Sequence, residues 1–331
     1  MNAKENKTIA WVGNIFFRNG MDKLGYEIVY IPISGQQVLT WHDILEKTGT
    51  EPFAVLYADR SIAPPLARVE DFPCLTIFHC IDTHIHSWYP LYAQGFDICL
   101  VSLKDHLERF APRLPESRLI WFPPVAMDHD QPVEMEKEWD LLFVGTVDAE
   151  LTPERKIFLD KVAEQIPGLH VTKGRFRELF PKAKVVLNIA ERGDLNFRVF
   201  EALACGSCLL TPKIGNGLFD IFEDGVHLVS YEPNNAEDLI EKFNMLLADD
   251  KLRERIARQG NELIERKHRI INRAETLHNI INEMDVETAI KNRISAAPQL
   301  RRNFLKSLYL HWAEEIDDSK MQRIYLQAAK D

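Results

Sequence analysis

Residues Lys184–Thr211 read KVVLNIAERGDLNFRVFEALACGSCLLT. An apolar, β-branched run ends near Ile189, and the chain then breaks at Arg192-Gly193. A short helical pattern follows, and a second strand-like run begins at Cys208. The stretch therefore predicts a strand, a loop, a helix and a second strand, which is the repeating unit of a parallel α/β sheet.

The helix predicted in this stretch carries two opposite charges on one side. If it begins near Leu195, with Asp194 as its cap, Arg198 and Glu201 are three residues apart and share a face. The free N–H groups at a helix start attract an anion. One cation and one carboxylate on one face suit a ligand that has a phosphate and a hydroxyl-bearing ring. A surface ion pair is the other interpretation, and spacing alone does not separate the two.

Length and composition limit the class of protein. A chain of 331 residues and 38.3 kDa predicts two domains. A formal charge of −10 argues against a nucleic acid or an acidic membrane as the main partner. No stretch approaches the roughly 18 apolar residues of a membrane span, and MNAKENKTIAW lacks the apolar core of a signal peptide. We therefore expect a cytoplasmic protein without integral membrane contact.

The five cysteines are an odd number, which fits reduced thiols in a chain of this kind. Cys205 and Cys208 form a CxxC, so a redox or metal site has to be considered. This pair closes a helix and enters a strand, where no helix dipole lowers the thiol pKa. No second CxxC completes a zinc site. The pair is interpreted as core or turn cysteines.

Upstream, apolar runs alternate with helical segments as far as Phe122, which again predicts parallel βαβ units. Asp82 and His84 follow the run Cys74–Ile81 and are expected at the carboxyl edge of its sheet, where open α/β sheets bind ligands. An exposed polar loop is the alternative for His84 and His86. The two histidines lack a third ligand of suitable spacing, so no metal site is predicted.

The composition changes after Pro124, where residues 128–139 are polar and acidic and have no apolar period. We predict an N-terminal domain at 1–127, a linker at 128–139, a second α/β domain at 140–285 and a helical extension at 286–331. The triplet Asp128-His129-Asp130 resembles a metal-binding DxD, but its place in the linker favours a solvated loop. The second domain begins with a strand that ends at Gly145-Thr146, and a glycine there lets a ligand approach the backbone.

The helical extension carries an apolar stripe with helical spacing. It consists of Leu305, Leu308, Tyr309, Trp312 and Ile316. Such a stripe has to be buried on something. A capping helix, a return onto the N-terminal domain and a homodimer contact all remain open.

The second half of the chain resembles a known family. The run Asp194–Gly206, followed by Leu209-Leu-Thr211, by Phe219-Asp-Ile-Phe-Glu-Asp-Gly225, and by Lys267-His268 with Arg273-Ala-Glu275, is similar to the CgeB-like glycosyltransferases. These resemble the GT-B transferases of the glycosyltransferase 4 type. The match covers about 140–277. The resemblance implies two Rossmann-like, doubly wound domains that face each other across a cleft, with the sugar nucleotide held by the second.

The resemblance also implies roles for individual residues. It assigns Glu201 to the ribose hydroxyls, and Arg198 with the helix N-terminus to the diphosphate. Asn196 lines the same entrance, and Gly145 and Thr146 lie at the edge of the cleft. The family carries a first glutamate eight positions before the second one. That position is Gly193 here, and Glu191 and Asp194 are its acidic neighbours. Asp194 is the candidate for contacting the sugar, and capping the helix is the alternative role for it.

Together these observations predict a metal-independent glycosyltransferase. It would move a sugar from a nucleoside diphosphate sugar, with a UDP-sugar as the expected donor, to an acceptor hydroxyl, and it would need no cofactor. Arg198 would stabilise the leaving diphosphate, and Asp82 or His84 would orient or deprotonate the acceptor. A sugar-nucleotide epimerase or hydrolase of the same fold is an alternative. A non-catalytic sugar-nucleotide-binding scaffold is another, and Gly193 favours it. No GxGxxG motif follows any predicted strand, which argues against the alternative of an NAD(P)-dependent oxidoreductase.

Overall fold

The computed structural model describes residues 7–330. Residues 1–6 and Asp331 lie outside the described residues. Residues 1–6 belong to the segment MNAKENKTIAW, which lacks the apolar core of a signal peptide. The chain forms two compact units, one made of the residues up to Phe122 together with those from Arg273 onward, the other of Pro123–Asn272. The domain limits expected from the sequence, 1–127, 140–285 and 286–331, stay a prediction.

The first unit contains a six-stranded parallel sheet in which the strand order is β2-β1-β3-β4-β5-β6. Its strands are β1 Thr8–Gly13, β2 Glu27–Ile31, β3 Ala54–Ala58, β4 Leu75–Cys80, β5 Ile98–Val101 and β6 Leu119–Trp121. Every residue of β1, β3, β4 and β5 is buried, as expected for central strands covered on both faces. The order reverses between β1 and β3.

Short helices connect these strands. They are α1 Arg18–Lys23, α2 Trp41–Thr48, α3 Tyr89–Tyr92 and α4 Leu107–Phe110, with 3-10 turns at Val69–Asp71, Ala93–Gly95, Lys104–His106 and Glu116–Arg118. The N-terminus of α2 is closed by a capping box, in which Asp43 accepts from the Thr40 backbone N–H and the Asp43 N–H donates to the Thr40 hydroxyl.

The second unit contains a five-stranded parallel sheet with the order β11-β10-β9-β7-β8. Its strands are β7 Trp139–Val144, β8 Leu169–Thr172, β9 Ala183–Leu187, β10 Leu209–Pro212 and β11 Val229–Tyr231. Its helices are α5 Pro153–Gln165, α6 Phe176–Leu179, α7 Phe197–Ala204, α8 Leu218–Ile221, α9 Ala236–Ala248 and α10 Asp250–Lys267, with a 3-10 turn at Phe180–Lys182. Here the order reverses between β7 and β9.

The chain leaves the second unit within a helix and ends in a helical region. That region is formed by α11 Ile270–Glu283, α12 Val286–Leu300, a π-helical turn Arg301–Leu305, α13 Lys306–Glu315 and α14 Ser319–Ala328. Two parallel sheets with connecting helices and a helical C-terminal region confirm the predicted α/β fold class.

The apolar stripe of the C-terminal region is buried against the first unit. Leu308 belongs to the core beneath the six-stranded sheet, and Trp312 contacts Trp88 with ring centroids 5.8 Å apart. The hydroxyl of Tyr309 lies 3.1 Å from the carboxylate of Glu70. The return onto the N-terminal part, one of the three options left open by the sequence, therefore accounts for the stripe.

One arginine fastens α12 to the first sheet. All five N–H donors of the buried Arg293 guanidinium have acceptors, the first being Asp97 Oδ1 at 2.9 Å. The other four bonds, 2.7–3.1 Å long, go to the backbone carbonyls of Val69, Glu70, Phe72 and Cys74. A planar five-donor fork is the side chain that can satisfy so many acceptors at once.

Two local expectations were wrong. Helix α7 begins at Phe197 with Asn196 at the N-cap position, so Asp194 does not cap it. Asp194 is two residues before the N-cap, too early to reach the first helical N–H groups. Asp130, expected in a solvated loop, is fully buried and paired with Arg177.

Within residues 7–330, no helix is both long enough and apolar enough to cross a bilayer.

Candidate functional site

The first candidate site lies at the carboxyl ends of β7 and β9. These neighbouring strands mark the reversal of strand order in the second unit, the place where open α/β sheets leave a crevice for ligands. Strand β7 ends at Val144 and is followed by Gly145 and Thr146, whereas β9 is followed by Asn188. The stretch Lys184–Thr211 therefore contributes to the ligand edge of its sheet.

Asn188 places the key cation at this edge. Its backbone and its side-chain NH₂ are fixed by Leu210, Tyr231 and Thr211, the last through an Nδ2–Oγ1 bond of 3.0 Å. The amide oxygen is thereby free to accept from Arg198 Nη1 at 3.3 Å. Burial lowers the pKa of Arg198, and the nearby Glu201 carboxylate opposes that shift.

Gly145 provides the space in which the Arg198 guanidinium lies. A Cβ atom at this position would be 3.2 Å from Arg198 Nη2 and 3.0 Å from the Phe143 ring, closer than ordinary van der Waals contact. Beside it lies a cavity of about 270 Å³, slightly below the range of typical ligand pockets. Its lining consists of Val144, Gly145, Thr146, Lys173, Gly174, Phe176, Phe180, Arg198 and Glu201.

Arg155 was not predicted from the sequence. Its guanidinium lies over the Phe143 ring at 5.7 Å, as that of Arg198 does at 5.2 Å. It donates to the Thr146 carbonyl oxygen at 2.8 Å and pairs with Glu191 Oε2 at 2.9 Å. The sequence did contain a signal for Arg155, which is a basic residue in the first turn of the helix that follows β7. In a parallel sheet, that first turn lies near the carboxyl end of the preceding strand, where the strand order reverses.

Glu201 forms the other wall of the cavity. Burial raises its pKa to about 7, and the buried Asp130 adds to the rise, whereas Arg198 and Arg177 oppose it. Asp130 is held by the Met127 N–H at 2.9 Å and by Arg177. The carboxyl of Glu201 is thus poised between its neutral and ionised forms near neutral pH, and ligand hydroxyls that donate to it would favour ionisation.

We expect Glu201→Gln to stabilise the protein above neutral pH. Between pH 4.5, the usual Glu pKa, and about 7, the folded state keeps a proton that the unfolded state has released, so the free energy of unfolding falls as pH rises. Glutamine removes this penalty, on the order of 3 kcal/mol at about pH 8, and changes little at about pH 4. Urea unfolding at both pH values measures it, with the exposed Glu164→Gln as control. Equal gains for both variants would contradict the assignment.

The remaining residues predicted for this site lie beside the cavity rather than in its lining. Asp194 is close enough to oppose the lowering of the Arg198 pKa by burial. The side-chain oxygen of Asn196 is buried and has no hydrogen-bond partner among residues 7–330. Gly193 has a φ of +69°, a left-handed conformation that an L-glutamate there would adopt only with strain. Glu191 Oε1 is also buried without a partner in the described part of the chain.

Asp82 and His84 belong to the first unit, just beyond the carboxyl end of β4. A single buried carboxylate, Asp59, organises this edge. Its Oδ2 accepts from the Ile81 and Asp82 N–H groups at 3.0 Å each, and its Oδ1 accepts from the Ser61 N–H at 2.8 Å. The loops that follow β3 and β4 are thereby fixed to each other.

This edge also contains a serine–histidine pair that was not predicted. Ser61 Oγ lies 2.6 Å from His86 Nε2, and Ser61 has a φ of +55°. Burial raises the pKa of Asp82, as does Asp59, whereas a hydrogen bond from Ser61 opposes the rise. Nδ1 of His84 is buried without a partner within residues 7–330. Backbone strain at a ligand edge commonly marks a functional position.

The structure thus gathers Gly145, Thr146, Arg198 and Glu201 around one cavity and places Asp82 and His84 in the other unit. Asp59, Ser61 and His86 lie at the same edge as Asp82 and His84. Among residues 7–330 no group of three or more His, Cys, Asp or Glu side chains is arranged to hold a metal ion.

The family to which the sequence is similar matches residues that lie mostly in the second unit. Residues 133–279 match the model of a family described as glycosyl transferase-like. That region contains the cavity, Arg155, Arg198 and Glu201. A search of curated proteins gives no significant match.

Solved structures share the fold of most of the chain. A glycosyltransferase from Rickettsia africae ESF-5 has a TM-score of 0.57 at 11% identity, covering 85% of this chain and 100% of its own. Anabaena HepE in complex with UDP and glucose has a TM-score of 0.57 at 8% identity, with 84% and 100% covered. Sucrose-phosphate synthase from Thermosynechococcus elongatus scores 0.57 at 9% identity, with 84% and 98% covered. The chain has the GT-B fold.

Proposed function

We propose that the protein is a glycosyltransferase that moves a sugar from a nucleoside diphosphate sugar to an acceptor hydroxyl. The observation that carries the proposal is the cavity at the strand-order reversal of the second unit, with Arg198 and Glu201 side by side in its lining. The glycosyl transferase-like match of residues 133–279 supports it. The CgeB-like group stays a proposal within that wider family.

Each part of the donor is assigned to the residues whose chemistry suits it. The Glu201 carboxylate accepts from vicinal hydroxyls, which a ribose provides, and Phe176 and Phe180 offer aromatic faces to a base. Arg198, with Lys173 in the same lining, binds the diphosphate, and Arg155 supplies a further cation beside Phe143. A UDP-sugar is the first donor to test, because the Anabaena HepE structure holds UDP and glucose.

Cleavage of the glycosidic bond leaves a negative charge on the departing diphosphate. Arg198 and the N–H groups at the start of α7 stabilise that charge where it develops. The cations Arg155, Arg198 and Lys173 are the basis for proposing transfer without a metal ion. Glu191 Oε1 is buried and has no hydrogen-bond partner in the described part of the chain, residues 7–330. We assign this carboxylate oxygen to a sugar hydroxyl, in place of the family's first glutamate.

On the first unit we assign the acceptor to the edge beyond β3 and β4. Asp82, whose pKa is raised, and His86 are groups that can take a proton from an acceptor hydroxyl, and Ser61 joins them by hydrogen bonds. His84 lies in the same loop and remains a candidate for orienting the acceptor. The five free cysteines suit a reducing compartment, so the cytoplasm is the proposed location.

The experiment combines donor binding with donor turnover. Calorimetry with UDP, GDP and ADP is expected to give binding of at least one nucleotide, and incubation with UDP-glucose and a cell extract is expected to give a glycosylated product by mass spectrometry. Asp82→Asn should keep nucleotide binding and lose product. No binding of any of these nucleotides would refute the proposal. Release of free sugar without an acceptor would instead indicate a hydrolase, and binding without any turnover a scaffold protein.

A further inference from the structure

A second, larger cavity lies in the first unit, away from both sites described above. It has a volume of about 640 Å³, within the range of pockets that hold small organic ligands. Helix α14, the start of α2 and the loop between β3 and β4 surround it. None of the residues assigned to donor or acceptor takes part in its lining.

The inner wall of this α14 cavity is apolar and partly aromatic. Phe72 is buried and packs against the half-buried Trp41, with ring centroids 5.1 Å apart. Ile324 closes the wall from α14. A half-exposed Trp beside an apolar cavity offers contact area to a hydrocarbon or aromatic group that water hydrates poorly.

The rim of the cavity is cationic. Arg68 lies on the loop, and Lys320 and Arg323 lie on the exposed side of α14. Three- and four-residue spacing places Lys320, Arg323, Ile324 and Gln327 on one face of that helix. Among residues 7–330 no carboxylate forms an ion pair with the exposed Arg323 guanidinium, and Lys320 has the Asp43 carboxylate in its vicinity.

Asp71 is the one carboxylate that residues 7–330 contribute to the lining, and it does not cancel this charge. Asp71 pairs with Arg68 through Nε at 2.6 Å and also with the buried Arg301. Arg301 also pairs with Glu70 Oε1 at 2.9 Å, so these two guanidinium groups are matched by two carboxylates. The excess positive charge at the mouth therefore comes from Lys320 and Arg323 on α14. Asp43, the acid near Lys320, is engaged in the capping box of α2. A ligand that enters the mouth meets a net positive field.

Arg68 is held at the rim in a strained conformation. Its φ is +57°, in the left-handed region that non-glycine residues rarely adopt. The strain is fixed by the Arg68 N–H, which donates to the Tyr309 hydroxyl at 3.1 Å, and Tyr309 in turn contacts Glu70. Such conformations persist where the surroundings determine them, and they cluster at ligand sites.

We propose that the α14 cavity binds a small soluble amphiphile that has an anionic head group and a single alkyl or aryl tail. The tail packs on Trp41, Phe72 and Ile324, and the head group pairs with Arg68, Lys320 and Arg323. Charge complementarity selects an anion over a neutral or cationic amphiphile. The apolar wall selects an amphiphile over a free inorganic anion.

Methyl NMR of the full-length chain, labelled with ¹³C-methyl alanine, tests this binding. Ala67 and Ala328 line the cavity and report occupancy directly. Monomeric decyl phosphate is expected to shift both methyl signals with saturation, whereas decan-1-ol, decyltrimethylammonium and inorganic phosphate bind at least about tenfold more weakly, a factor equivalent to one charge-pair contact. Because no nucleotide is used, the result does not depend on the proposed transferase activity.

Two variants and one control sharpen the test. Arg323→Glu should weaken decyl phosphate binding by about tenfold or more, and Gln327→Trp should fill the mouth and abolish it. Arg302→Glu, an exposed arginine outside the cavity with the same change in charge, should leave it unchanged. Unshifted Ala67 and Ala328 methyls, equal affinity for decyltrimethylammonium, or binding to anionic vesicles without binding of the monomer would each overturn the proposal.

Discussion

Replacing Arg293 by methionine is expected to lower the free energy of unfolding of the first unit by about 3–5 kcal/mol. The substitution keeps an unbranched side chain but removes five donors, so the buried Asp97 charge and four buried carbonyl oxygens lose a partner. Lysine would not rescue the loss, because one ammonium cannot reach five acceptors that lie in the plane of a guanidinium.

Urea unfolding followed by tryptophan fluorescence measures this effect. The two compact units can unfold in separate steps, so each transition is fitted on its own. Lys291→Ala is the matched control, since it removes an exposed cation from the same helix. A loss of less than about 1 kcal/mol for Arg293→Met would show that this fastening contributes little, because exposed helix pairs are worth about 0.3–0.5 kcal/mol.

Replacing Arg198 by alanine is expected to weaken nucleotide binding about 30- to 100-fold, the equivalent of roughly 2–3 kcal/mol for a charge-assisted contact to a diphosphate. No carboxylate forms a direct ion pair with Arg198 among the contacts of residues 7–330, and its charge is partly desolvated. Alanine should therefore cost the unliganded protein little stability. The nucleotide affinity of Arg198→Lys should lie between those of wild type and Arg198→Ala, because lysine keeps the charge but loses the planar guanidinium.

Calorimetric titration with the nucleotide that binds wild type is the measurement. Arg192→Ala is the matched control, since Arg192 is an exposed arginine of the loop that precedes α7 and its removal changes the net charge equally. If Arg198→Ala and Arg192→Ala bind the nucleotide equally well, the cavity beside Gly145 is not the diphosphate site. Thermal unfolding of both variants checks that the fold is retained.

The sequence predicted those parts of the site that depend on local spacing. Arg198 and Glu201 share a face because they are three residues apart on a helix, and the strand ending before Gly145 follows from an apolar run. The run that was expected to continue to about Ile189 forms a strand only as far as Leu187. Asp194 was a reasonable cap, but Asn196 is also a capping residue type, and sequence alone does not choose between them.

The parts that sequence reasoning missed depend on contacts between distant residues. Asp130 looked like a solvated loop because its partner, Arg177, lies 47 positions away. Arg155 reaches Glu191 across 36 positions, and Arg293 reaches its carbonyl acceptors across more than 200. Local periodicity carries no information about such pairs, and only the folded chain shows which charges are buried together.

The first unit is built from two segments that flank Pro123–Asn272 in sequence, and this fixes an order of events during synthesis. Pro123–Asn272 is continuous and can fold as soon as it has left the ribosome, whereas the six strands made earlier still lack the helices that cover them. Until Arg293 emerges, the carbonyls of Val69 and Phe72 lack the guanidinium donor that they have in the folded chain. The unit whose strands are translated first is therefore completed only after the unit that follows it in sequence has been synthesised.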